Sequence, residues 1–179
     1  MLKVVLTGPE CTAKSTLAEQ LADHYGTFHV KEYARDYVQS LNRPYDHDDV
    51  LHIARKQVQQ FNEAEKGKER IVFFDTYLEI TLVWFDIVFK AHPGWIDDEL
   101  SRRNISLYLL CDLDIPWMPD GVRENGGKMR ENLFAIYRNV LEQYGFRYRI
   151  VSGIGPDRLL SAIDAVDELL DRESVTWDK

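Results

Sequence analysis

Cysteine is nearly missing from this chain of 179 residues, which holds Cys11 and Cys111 alone. Two cysteines cannot build a disulfide framework, so both thiols are expected reduced, as in a cytoplasmic protein. No motif pairs either with a base, which argues against a cysteine nucleophile. Positive charge is also scarce: 22 Lys and Arg stand against 30 Asp and Glu, a formal net charge of −8. A general nucleic-acid binder would carry a basic stripe, so nucleic acid is not expected as a partner, and any anionic ligand must be held by local cations. Long apolar runs are absent too. The longest, around 78–89, is interrupted by Glu79 and Asp86 and is too short and too charged to span a bilayer, while the N-terminal apolar stretch is too brief for a signal peptide. The five histidines show no zinc-ligand spacing with cysteines or carboxylates. No linker, low-complexity run or repeat divides the chain, so one α/β domain over 1–179 is expected.

What is present is an alternation of two patterns. Five apolar runs read as strands: Lys3 to Thr7, Thr27 to Val30, Arg70 to Phe74, Ser106 to Cys111 and Tyr148 to Val151. Helical periodicity fills the gaps, at Thr16 to Tyr25, Asp48 to Lys66, Tyr77 to Phe89, Lys128 to Tyr144 and Asp157 to Leu170. Strands apolar on both faces and separated by helices imply a parallel sheet covered on both sides, a three-layer architecture. On such a sheet ligands bind beyond the carboxyl ends of the strands.

The first strand ends in Gly8-Pro9-Glu10-Cys11-Thr12-Ala13-Lys14-Ser15-Thr16, and a helix follows at once. That context is what a P-loop requires: the first amides of a helix have no intrahelical partner and, backed by the helix dipole, converge on an anion. Lys14 is then expected at the β- and γ-phosphates of ATP and the Ser15 hydroxyl at Mg²⁺. Ala13 stands where the motif has glycine. If the position needs a positive φ, its Cβ costs on the order of 1 kcal/mol.

Other strand ends supply further candidates. Asp75 closes an apolar strand in the Walker-B manner, suited to holding Mg²⁺ through water or orienting an acceptor hydroxyl; as an alternative it caps the next helix. Glu32 and Arg35 follow the second strand three residues apart, a base for an attacking hydroxyl and a bidentate grip on substrate, or else a surface ion pair. The segment 112–130 cannot be regular across Pro116 and Pro119 and carries Arg123, Lys128 and Arg130, the composition of a lid that brings cations to a transferred phosphoryl, or else of an ordinary solvated loop, with Arg123 also expected at the nucleotide. Trp84, Tyr77, Trp95 and Trp117 invite an aromatic-pocket reading for a flat base, with core as the alternative for most of them; Tyr77, at the start of its helix near Asp75, is placed to touch substrate, as are Asp114 and Trp117. Gly153 and Arg158 are expected around the adenine, with Arg158 stacking on it, or as a plain helix-entry turn. Asp46-His47-Asp48-Asp49 reads as a capped helix start.

Together, the phosphate loop, Glu32-Tyr33-Ala34-Arg35, Phe74-Asp75-Thr76, Asp112-Leu113-Asp114-Ile115-Pro116-Trp117 and Asp120-Gly121-Val122-Arg123 resemble the ribosylnicotinamide kinase domain of bacterial NadR-type proteins, over nearly the whole chain. The resemblance implies a P-loop kinase fold with strand order 2-3-1-4-5 and transfer of the ATP γ-phosphoryl to the 5′-hydroxyl of nicotinamide riboside, giving nicotinamide mononucleotide. It implies Lys14 and Ser15 for ATP and Mg²⁺, Asp75 or Glu32 for the acceptor hydroxyl, and Arg123 and Arg130 for the lid. The adenylyltransferase and DNA-binding parts of full-length NadR-type proteins have no counterpart here, so a standalone kinase is implied. A kinase for another nucleoside or small alcohol, and a nucleotide-dependent switch, remain as alternatives. A GTPase lacks its Asn-Lys-x-Asp signature, and an AAA-type motor lacks a glutamate after Asp75.

Overall fold

A computed structural model describes residues 1–119 and 126–177, with side chains through residue 173. Five strands, β1 (Leu2–Thr7), β2 (His29–Val30), β3 (Ile71–Asp75), β4 (Leu107–Cys111) and β5 (Tyr148–Val151), pair in parallel in the order β2-β3-β1-β4-β5. The expected architecture and strand order are therefore both present. Register follows the apolar pattern, with Val4 opposite Phe73 and Leu107, and Leu6 opposite Asp75 and Leu109.

Alternation within the central strands divides their side chains between two cores. Val5, Val72, Phe74, Tyr108 and Leu110 face one side, where α3 (His47–Ala64), α4 (Leu78–Val88), α5 (Trp95–Arg102) and α6 (Gly127–Gln143) cover them. Val4, Leu6, Phe73, Leu109 and Cys111 face the other, under α1 (Lys14–His24) and α7 (Pro156–Trp177). A side chain buried in this way contributes about 1.5–3 kcal/mol, which is why three central strands can hold the sheet while β2 pairs over two residues.

Two helices depart from the periodicity reading. α2 (Tyr33–Ser40) continues the turn that carries Glu32 and Arg35, and α5 comes from the short stretch Trp95–Arg102, whose signal is Ile96 and Leu100 one turn apart behind Asp97 and Asp98. Both are eight residues long, too few for a pattern to stand out. The capped start of α3 is as read: Asp46 accepts from the amides of Asp48 and Asp49, and Asp49 returns a bond to the Asp46 amide. No helix among the described residues is long and apolar enough to cross a membrane.

Candidate active site

The phosphate loop leaves β1 through Gly8 at φ +129°, where a Cβ would stand 3.0 Å from the carbonyl oxygen of Cys111. Only glycine lets the loop pass so close to β4. Farther along, Cys11 and Ala13 both adopt left-handed φ, +58° and +59°. Thr76, directly after Asp75, does the same at +72°. For residues other than glycine such conformations cost of order 1–3 kcal/mol and persist only where surroundings impose them. Three of the four described non-glycine residues of this kind lie at this one edge of the sheet, which marks it as the working edge.

Each carbonyl of the loop has a partner. Lys14 donates its ammonium to Gly8 and Pro9 at 2.9 and 2.8 Å, and the Thr12 hydroxyl also donates to Pro9 at 2.9 Å. Arg130 donates to Glu10 at 3.1 Å and Cys11 at 2.9 Å, and Arg158 donates to Thr12 at 3.2 Å. The amide of Leu17 takes the Ala13 carbonyl at 2.9 Å. Among the described residues the amides of Cys11, Thr12 and Ala13 donate to no protein acceptor, which is the arrangement an anion cradle needs.

From this loop a cleft of about 690 Å³ runs past Glu32 and Arg35 into an apolar end. That far end is walled by Ile80, Val83, Trp84, Ile87 and Val88 of α4, by Val38, Pro44 and Tyr45 with the Asp49-paired Arg43 between them, and by Leu133 and Tyr137 of α6. Tyr45 meets Trp84 edge-on, ring centroids 4.8 Å apart. The Pro44-Tyr45 wall is held by Asp49, which accepts from both terminal guanidinium nitrogens of Arg43 at 2.6 and 3.0 Å and from the Tyr37 hydroxyl at 2.9 Å. The bond from Arg43 is the main cause that drives the Asp49 carboxyl well below the ordinary range.

Glu32 sits between the two ends. Burial pushes its pKa up; the charge of Lys14 and, less, that of Arg35 oppose this, while that of Asp75 adds to it. Asp75 is 3% exposed and does not line the cleft, and its Oδ1 is buried without a partner. That orphaned oxygen and the Ser15 hydroxyl, which lines the cleft, are hard donors of the kind a small divalent cation takes, so the residues present fit Mg²⁺. Among the described residues no cluster of three or more metal-ligating side chains exists.

The cleft thus gathers Gly8, Glu10, Cys11, Thr12, Ala13, Lys14, Ser15, Thr16, Glu32 and Arg35 of the expected residues. Others lie elsewhere. Tyr77 is core, 1% exposed with its ring 4.6 Å from that of Phe61, so it does not contact a ligand in the cleft. Arg158 is 2% exposed, its guanidinium bonded to the carbonyls of Gly153, Thr12, Val151 and Asp112, which leaves no free face for an adenine. Arg130 belongs to the first turn of α6 and grips the loop rather than lining the cleft. Asp114 accepts the Gly153 amide. Trp117 covers Gly126, where a Cβ would come within 3.0 Å of its ring. Arg123 lies outside the described residues.

The sequence presents this apolar wall as core first, with Trp84 open to an aromatic-pocket reading. Its signal lay in α4, where Ile80, Val83, Trp84 and Ile87 recur at helical spacing, but a helix apolar nearly all round reads as core first.

A parallel sheet of this order with a phosphate loop after β1 defines the P-loop kinase fold. A family model described as an AAA domain matches residues 3–158, and the chain belongs to that family. The glutamate missing after Asp75 concerns the motor subclass and leaves that membership untouched. The chain is 25% identical over 173 residues to the trifunctional NAD biosynthesis/regulator protein NadR of Escherichia coli, covering 93% of this chain and 42% of that protein. It therefore spans less than half the length of the curated relatives it matches. Among solved structures, a NadR protein in complex with NR superposes with a TM-score of 0.77 at 21% identity over 94% of this chain and 49% of that one. A deoxyadenosine kinase from M. mycoides superposes with 0.66 at 14% identity, over 93% and 100%.

Proposed function

We propose that this chain transfers the terminal phosphoryl group of ATP to the 5′-hydroxyl of a riboside, nicotinamide riboside foremost, with nicotinamide mononucleotide as product. The observation that carries the reading is the continuity of one cleft, from a phosphate loop, past a carboxylate of raised pKa, into an aromatic pocket. The similarity to NadR, a solved relative of which is bound to NR, supports the same acceptor.

Lys14 and the loop amides supply fixed positive charge where the β- and γ-phosphates would lie, and such preorganised donors lower the barrier by stabilising charge as it develops. Ser15 and Asp75 would hold Mg²⁺, which when bound neutralises phosphate charge. Glu32 lines the cleft between phosphate and acceptor, whereas Asp75 lies beneath it, so Glu32 is the base for the acceptor hydroxyl and Asp75 serves the metal. A carboxylate with raised pKa is the stronger base. Arg35 grips the riboside or a phosphate oxygen.

Among the described residues at the far end, no asparagine, glutamine or carboxylate lines the wall to read the edge of a purine or pyrimidine. Aromatic faces do line it, and these attract a flat cationic pyridinium ring. Incubation with Mg-ATP and a riboside panel, followed by product masses, tests the reading: nicotinamide riboside should gain one phosphoryl group. ATP consumption indifferent to every riboside, with no phosphorylated product, would instead make the chain a nucleotide switch.

A further inference from the structure

Arg130 and Arg158 arrive from the last two helices, are 6% and 2% exposed, and end on three consecutive carbonyls of the phosphate loop. A trans peptide is planar, so the carbonyl of one residue and the amide of the next point in opposite directions. Holding the carbonyls of Glu10, Cys11 and Thr12 therefore aims the amides of Cys11, Thr12 and Ala13 the other way, and among the described residues these three amides have no protein acceptor. The loop cannot hold that shape by local preference, since Cys11 and Ala13 both sit at positive φ.

From this geometry we infer that Arg130 and Arg158 are positioning residues for the phosphate loop, acting on polyphosphate through the backbone and without touching it. The inference rests on the loop being a phosphate cradle but not on the identity of the acceptor. Arg158 does more than Arg130. Its other bonds go to Val151 at 3.4 Å, Asp112 at 3.1 Å and Gly153 at 2.9 Å, and its guanidinium lies 3.8 Å from the Asp114 carboxylate. One buried cation thus ties the loop to the chain leaving β4 and the turn leaving β5. Burying a guanidinium is costly unless its donors are satisfied, and here backbone carbonyls from separate segments satisfy them.

The test uses Arg158→Lys and Arg130→Lys, which keep the charge but cannot fork between carbonyls. Calorimetry with inorganic tripolyphosphate probes the loop alone, and steady-state kinetics separate KM for ATP from KM for riboside. Each variant should lose about tenfold or more in affinity for tripolyphosphate and ATP, since small misplacements of a preorganised site are costly, while KM for riboside stays within about twofold. Tripolyphosphate affinity unchanged in either folded variant would overturn the inference for that arginine. A parallel loss for riboside, or failure of both variants to fold, would overturn it altogether, making the pair a general structural brace. If wild-type chain binds tripolyphosphate yet phosphorylates no riboside, the acceptor reading fails and the positioning of the loop stands.

Discussion

The two ends of the cleft are built on different principles. The phosphate end is made of backbone: amides aimed by carbonyls that Lys14, Arg130 and Arg158 hold, with strain stored at Cys11, Ala13 and Thr76. The proposed acceptor end is made of side chains, a largely apolar wall from α4, α6 and the Pro44-Tyr45 turn with one edge-on aromatic pair. A backbone site demands particular residues at fixed spacing, because few sequences adopt left-handed φ beside a glycine that skims another strand. A side-chain wall demands only apolar volume in about the right place, and many sequences meet that demand.

Substitutions at the two ends should therefore separate in what they change. The largest effect belongs to Lys14→Ala, which removes the side-chain cation from the phosphate end: turnover should fall about 100-fold or more, the scale at which losing one preorganised donor acts, with riboside binding intact. Steady-state kinetics beside riboside titration would show it, and full retained activity would make the loop structural. Between the ends, Glu32→Gln should lower kcat by about 100-fold with ATP affinity kept, and should abolish the acid limb of the pH profile. The sign follows from burial: Glu32 holds its proton to higher pH than a free carboxyl, so wild-type activity is lost as pH falls through that raised pKa.

At the acceptor end, Trp84→Ala should raise KM for riboside roughly tenfold and leave KM for ATP unchanged, because a ring face contributes about 1 kcal/mol or more to a flat cation. Equal changes in both constants would mean that the wall is core and the pocket lies elsewhere.

Glu79 lies in the core, away from the cleft lining. It is fully buried in the first turn of α4, within 3.4 Å of the Tyr77 amide and 3.5 Å of the Tyr108 hydroxyl, and burial pushes its pKa up to about 7. The unfolded chain ionises this carboxyl at ordinary carboxylate pH, so over the interval up to about 7 the folded state alone keeps the proton. Stability from this group is greatest in acid and falls as pH rises through that interval. Denaturant titrations at several pH values should show the fall in wild type and its absence in Glu79→Gln. The smallest effect belongs to Ala13→Gly. Relief of left-handed strain and added freedom of the unfolded chain oppose each other at about 1 kcal/mol each, so stability should move by less than that, whereas ATP affinity should rise if the strain loosens the cradle.

The same contrast explains what could be read from the sequence. Gly8, Lys14 and Ser15 at their spacing, with a strand before and a helix after, identified the phosphate loop because backbone chemistry leaves few alternatives. The five-strand sheet was equally open, its central strands being apolar except at Lys3, Thr7 and Asp75. Arg158 was harder: a residue 144 positions after Lys14 meets the loop only through the fold, and an arginine in a turn resembles a ligand contact as much as a brace. Tyr77 was misplaced because an aromatic ring beside a strand-end carboxylate looks the same in sequence whether it faces a cleft or Phe61. Trp84 stayed ambiguous for the converse reason, as a stripe at helical spacing fits core and pocket alike. The short helices α2 and α5 offered too few turns for periodicity to register.

The measurement that bears most directly on the two-ended cleft is kcat/KM for nicotinamide riboside against adenosine and cytidine at fixed Mg-ATP. A backbone-built phosphate end serves every riboside alike, so preference must come from the aromatic wall, and the cationic pyridinium should lead by about tenfold or more in wild type and lose that lead in Trp84→Ala. Equal rates for all three ribosides, or a preference that survives loss of Trp84, would contradict the account.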